Sequence, residues 1–146
     1  MSTAVRAIVI ENGKILVMYR DKNGSCYHTL VGGSVEGDEP LTNALIREVD
    51  EETGLLVTHA KPVFTEKHAP PYNEQVIFLC KVANHNEVAV QSYSEEGQMN
   101  ALGMNIHAPI WVPISSFGSI AFRTPQLQQA ILEALKKGFP KEPIQL

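Results

Sequence analysis

The stretch GGSVEGDEPLTNALIREVDEETGL, Gly32 to Leu55, decides how the rest of the chain is read. Its second half has helix formers between start and stop signals. Asp38 suits an N-cap, Pro40 suits a first turn and Gly54 suits a helix end, so a helix is expected over Glu39–Thr53. With ~100° per residue and Glu48 at zero, Glu52 falls near +40° and Glu51 near −60°. Ala44 falls near ~−40°, inside this acidic stripe, and Leu45, Val49 and Ile46 fall between ~+60° and ~+160°. One face is therefore apolar and core-directed, and the neighbouring face gathers three carboxylates around a small alanine. Like charges at these spacings destabilise a helix by roughly a few tenths of a kcal/mol per pair. A solvated surface helix is the plain alternative. Carboxylates clustered on rigid backbone are also hard oxygen ligands. Mg²⁺ takes such ligands while sharing its other positions with water and substrate phosphates.

Outward from this helix, the N-terminal side reads as strands. AVRAIVI and KILVMYR are apolar, β-branched runs separated by Glu11-Asn12-Gly13, a strong hairpin signal, so antiparallel strands are expected over 4–10 and 14–20. DKNGS is a turn, and CYHTLV is a third strand ending at a Gly32-Gly33 turn. On the C-terminal side, LLVTHAKPVFTEKH and EQVIFLCKVAN read as two longer strands around the loop APPYN. Residues 85–103 are polar and weakly periodic, a long loop of the kind that often carries function. APIWVPI is a strand whose flanking prolines suit an edge, and TPQLQQAILEALKKG is an amphipathic helix capped by Thr124. Strands, helix, strands, helix indicate one α+β domain over residues 1–146.

Composition bounds the function. The chain has 146 residues, 44% of them hydrophobic, and a formal net charge of −4, which argues against a broad basic face for nucleic-acid binding. No apolar run is long enough to span a bilayer. The opening MSTAVRAIVIENGK lacks the basic, apolar and small-residue succession of a signal peptide. Cys26 and Cys80 make no disulfide framework, so a cytoplasmic location with reduced thiols is expected. Cys26, His28, His68 and Cys80 do not have the spacing of a zinc site, and Trp111 and Phe78 read as core.

From Gly33, five residues lead to Glu39; seven more lead to Arg47-Glu48-Val49, then Asp50, Glu51-Glu52, Thr53, Gly54 and Leu55. This resembles the Nudix box, G-x5-E-x7-R-E-U-x-E-E-x-G-U, with Val49 and Leu55 at the bulky apolar U positions. A chance match at a given start is about one in 10⁸. The box covers 23 of 146 residues, and the flanking strand order resembles that family's α/β/α sandwich, a mixed β-sheet between helices. One departure is Val31, where family members often have proline.

The resemblance implies a Mg²⁺-dependent hydrolase, with Mn²⁺ substituting, that cleaves the diphosphate bond of a nucleoside diphosphate linked to another group. Glu48 and Glu52 would be the main metal ligands, with help from Glu51 and the Gly32 carbonyl. Arg47 would orient the acidic cluster, and Glu39 would support the loop. Gly33 and Gly37 are expected to permit the turn. Family members take the catalytic base from a box glutamate or from a later loop, where SYSEEGQMN offers Glu95 and Glu96. In HAPPYNEQ, prolines at Pro70 and Pro71 match a feature of members that cleave ADP-ribose, and Tyr72 one of members that cleave dinucleoside polyphosphates. Pro71 and Tyr72 are the candidate substrate contacts, Tyr72 by stacking. WVPISSF and the closing helix lean towards ADP-ribose, giving AMP and a sugar phosphate. The alternatives are nucleoside triphosphate pyrophosphohydrolysis and a non-catalytic nucleotide-sensing module on the same fold. The expected partner is a small nucleotide, with neither nucleic acid nor membrane. Homodimers are common in the family.

Overall fold

The computed structural model describes residues 2–67, 72–83, 88–91, 94, 96–97, 100 and 105–146. Eight strands form one mixed sheet: β1 (Ser2–Glu11), β2 (Lys14–Lys22), β3 (Ser25–Thr29), β4 (Val31–Ser34), β5 (Leu56–Lys67), β6 (Tyr72–Ala83), β7 (Asn105–Pro113) and β8 (Ile144–Gln145). The helices with both ends among the described residues are α1 (Leu41–Thr53), a short α2 (Ile114–Phe117) and α3 (Pro125–Lys137). This is the expected α+β sandwich, a mixed sheet between helices.

The β1–β2 hairpin turns at Asn12 and Gly13, both at positive φ (51° and 74°), as a two-residue hairpin turn requires. β1 and β2 share only the rungs Ile10–Ile15 and Glu11–Lys14. Beyond them the strands part. β1 lies between antiparallel β4 and parallel β6, and β2 lies between antiparallel β3 and β7. Alternation on β1 and β2 then fills two cores. Val5, Ala7, Val9, Leu16 and Met18 join Leu45 and Val49 of α1 on one side. Ile8, Ile15 and Val17 join Leu127 and Ile131 of α3 on the other. Both faces of these strands are covered, so their sequences read as near-continuous apolar runs.

Thr124 caps α3 as expected, its Oγ1 accepting the Leu127 N–H at 3.1 Å. Phe78 is buried and Trp111 packs against the α1-side core. Cys26 is exposed and Cys80 buried.

Four expectations need correction. The third strand is two: β3 pairs with β2, and β4 pairs with β1. Gly32 and Gly33 therefore lie inside β4, not in a turn. Helix α1 starts at Leu41 with Pro40 as its cap, and Asp38 caps nothing; Glu39 lies ahead of the helix, its carboxylate accepting the Glu36 N–H at 3.1 Å. Ile46 is 38% exposed. The buried arc runs from Ala44 past Glu48 and Glu52 to Thr53. It thus spans ~−40° to ~+140°, leaving Ile46 just beyond it. The acidic stripe is part of the inward face.

Candidate active site

The two buried glutamates of α1 need room, and β4 provides it. A Cβ on Gly33 would lie 2.5 Å from the Glu48 Cδ and Oε2, so this glycine leaves the space that the carboxylate fills. The sequence assigns Gly33 to a turn; its role in the fold is close approach. Gly32 has φ +145°, and a Cβ there would collide with the Val5 carbonyl. Its N–H donates to Glu52 Oε1 at 2.6 Å. Val31 is fully buried and paired with Ala7, so strand pairing stiffens the position where a proline is common in the family.

Arg47 organises the rim. Its guanidinium donates to both oxygens of Glu39 (2.9 and 3.1 Å), to Glu48 Oε1 (2.9 Å) and to the Ser34 carbonyl (3.1 Å). Such a two-pronged pair fixes orientation as well as charge. Glu51 Oε2 lies 3.6 Å from Arg47 Nη1.

Glu48, Glu52 and Glu96 converge, each offering an oxygen within 4.8 Å of the others. Glu96 comes from the region between β6 and β7, 44 residues beyond Glu52 in sequence. Burial raises Glu48 from 4.5 to about 7, against the opposing pull of Arg47. Burial raises Glu52 to about 8, against the Gly32 N–H and Arg6. Glu51 is raised as well, again mainly by burial. Three converging carboxylates, two of them buried, are unstable as anions unless a cation joins them. All are hard oxygen donors, so the set fits a divalent ion such as Mg²⁺ or Mn²⁺.

A cavity of about 290 Å³ opens onto this group, lined also by Gly32, Gly33, Ser34 and Glu36. Arg6, Arg20, Asn105 and His107 complete its lining. These four were absent from the sequence-based site. Arg20 follows the buried Leu16 and Met18 on one face of β2, where a cation in an apolar alternation was the available signal. Arg20 Nη2 donates to Asn105 Oδ1 at 2.9 Å. His107 is lowered in pKa by burial and then by Arg20. Tyr72 opens β6, but its side chain, together with Pro71, Glu95, His68 and much of 85–103, lies outside the described residues.

Residues 1–133 match the family model of the NUDIX domain. A curated relative, the NAD-capped RNA hydrolase NudC of Photobacterium profundum, is 25% identical over 121 residues, 83% of this chain. The chain spans only 41% of that relative's length. Among solved structures, an ADP-ribose pyrophosphatase from Streptococcus suis 89-1591 is similar with a TM-score of 0.68 and 20% identity, covering 99% of this chain and 98% of its own. A MutT NUDIX hydrolase from Burkholderia pseudomallei is similar with a TM-score of 0.66 and 20% identity, covering 87% and 94%. At these identities the two structures speak for the fold. With Gly33, Glu48 and Glu52 of the box lining one acidic pocket and the match running over most of its length, the chain belongs to the NUDIX family.

Proposed function

We propose that the chain hydrolyses the diphosphate bond of a nucleoside diphosphate sugar, ADP-ribose or a close relative, to AMP and a sugar phosphate. The observation that carries this reading is one pocket whose lining brings the carboxylates of Glu48, Glu52 and Glu96 together with Arg20. A diphosphate suits such a pocket, with one phosphoryl group shared with a cation held by carboxylates and the other facing arginine. Glu48 and Glu52 would hold Mg²⁺ or Mn²⁺, with the Gly32 carbonyl and Glu51 contributing. A bound divalent ion would neutralise phosphate charge and acidify a water. The chain's own residues do the rest. Arg47 holds Glu48 and Glu39 in place. Glu96 takes the proton from the attacking water, while Arg20 receives a departing phosphoryl oxygen.

The sugar half of the proposal is supported by the sequence positions of Pro70 and Pro71 after the box, and by the Trp111–Phe117 segment with its closing α3. The test is a comparison of kcat/KM for ADP-ribose, diadenosine polyphosphates and nucleoside triphosphates with Mg²⁺. Preference for ADP-ribose with AMP released is expected. A clear preference for a triphosphate, with pyrophosphate as product, would replace this reading with nucleotide-pool sanitation. No turnover of any member would favour a sensing module.

A further inference from the structure

One rung of the sheet contributes two neighbouring residues to the pocket lining. Arg20 of β2 is the direct partner of His107 on β7 and of Tyr27 on β3. Directly opposed residues on neighbouring strands project to the same face. Leu16 and Met18 are buried on that face, and the cavity begins where Arg20 follows them.

Arg20 is held and only partly used. Nη2 donates to Asn105 Oδ1 at 2.9 Å, and Cζ lies 5.7 Å from the centroid of the Tyr27 ring. Nε is buried and, among the described residues, has no hydrogen-bond partner. An unpaired buried donor is costly, and the residue that carries it also lines the pocket, where an acceptor on a ligand would meet the guanidinium. A phosphoryl oxygen is such an acceptor.

His107 presents the opposite polarity. Its Nδ1 lies 2.9 Å from the Asn105 carbonyl oxygen. A carbonyl only accepts, so Nδ1 carries the hydrogen. Burial and the neighbouring Arg20 favour the neutral ring, leaving Nε2 as an acceptor. The rung therefore sets a donor beside an acceptor at the pocket wall. The complementary ligand has an anionic oxygen next to a hydroxyl. A sugar phosphate has both. The terminal phosphoryl group of an ionised triphosphate has acceptors only and would set lone pairs against His107.

We propose that Arg20 and His107 form the subsite that selects the departing sugar phosphate, Arg20 donating to a phosphoryl oxygen and His107 Nε2 accepting from a sugar hydroxyl. This rests on the reading of a nucleoside diphosphate sugar as substrate. It adds which residues distinguish that class from triphosphates.

The test measures equilibrium binding of ribose 5-phosphate and of inorganic phosphate to the full chain, with chelator present. It compares the unaltered chain, His107→Leu and Arg20→Met, with thermal melts to verify folding. The unaltered chain should bind ribose 5-phosphate more tightly than phosphate. His107→Leu should weaken ribose 5-phosphate about tenfold, the scale of one hydrogen bond, and leave phosphate unchanged. Arg20→Met should weaken both. No binding of ribose 5-phosphate by the unaltered chain, no change in either variant, or equal losses for both ligands in His107→Leu would overturn the subsite. The pattern can be separated from the substrate reading. ADP-ribose left intact beside the expected binding differences defeats that reading alone. ADP-ribose cleaved with binding unchanged in both variants defeats the subsite alone.

Discussion

Gly33 and Glu48 compete for one volume. The strand residue has no side chain where the helix residue places its carboxyl group, and a Cβ on Gly33 would lie 2.5 Å from Glu48 Cδ. The contact is with the far end of a flexible side chain, so a methyl group would displace the carboxylate rather than break the strand. Gly33→Ala should therefore fold, with the melting temperature changed by only a few degrees. It should lose about 10²-fold in kcat/KM, the scale of a misplaced reacting group. Steady-state kinetics alongside thermal melts decide this, and near-normal kcat/KM in the alanine variant would refute the role given to Gly33.

Glu48→Gln and Glu52→Gln should each keep the fold and lose orders of magnitude in kcat. Above about pH 8, where both groups are ionised, either change removes a buried anion, so the metal-free variants should there melt no lower than the unaltered chain. They should also lose most of the thermal stabilisation that added Mn²⁺ gives through binding to the folded state. Full activity with Mg²⁺ in either variant would remove that residue from the ligand set.

The same glutamates set a pH dependence. Burial raises Glu48 to about 7 and Glu52 to about 8 from an ordinary 4.5. Between the ordinary and raised values the folded chain binds more protons than the unfolded chain, so its stability falls as pH rises. The contribution is complete below about pH 4.5 and lost once pH passes about 8. Melts in chelator should move to lower temperature across that window, and excess divalent ion should flatten the trend. A metal-free melting temperature that rises over the same range would contradict it.

Glu96→Gln tests the base. A group that takes a proton only during reaction contributes typically about 10²–10⁴-fold. Loss on that scale in kcat, with KM little changed, is expected. Wild-type rates across the pH range would move the assignment to Glu48.

What the sequence determined alone depends on near neighbours. The Asn12-Gly13 turn, the Thr124 cap and the carboxylate spacing of α1 each involve residues within about four positions, where backbone geometry relates sequence directly to shape. The box spacing placed Arg47 and Glu48 on the correct helix. Helical periodicity alone could not say which way the stripe would face. Ile46 was expected inside and is exposed, whereas Glu48 and Glu52 are inside, because Gly33 in β4 leaves space for the Glu48 carboxylate and the Gly32 amide bonds Glu52.

Tertiary structure decided the rest of the pocket. Glu96 reaches Glu48 and Glu52 from a distant segment, and Arg6, Arg20 and His107 come from three strands whose order and register bring them to one cavity. Such contacts depend on pairing across the sheet, and a shift of one residue would turn Arg20 to the opposite face. No local pattern encodes that register, so the acidic half of the site was legible in the chain and the cationic half became visible only in the fold.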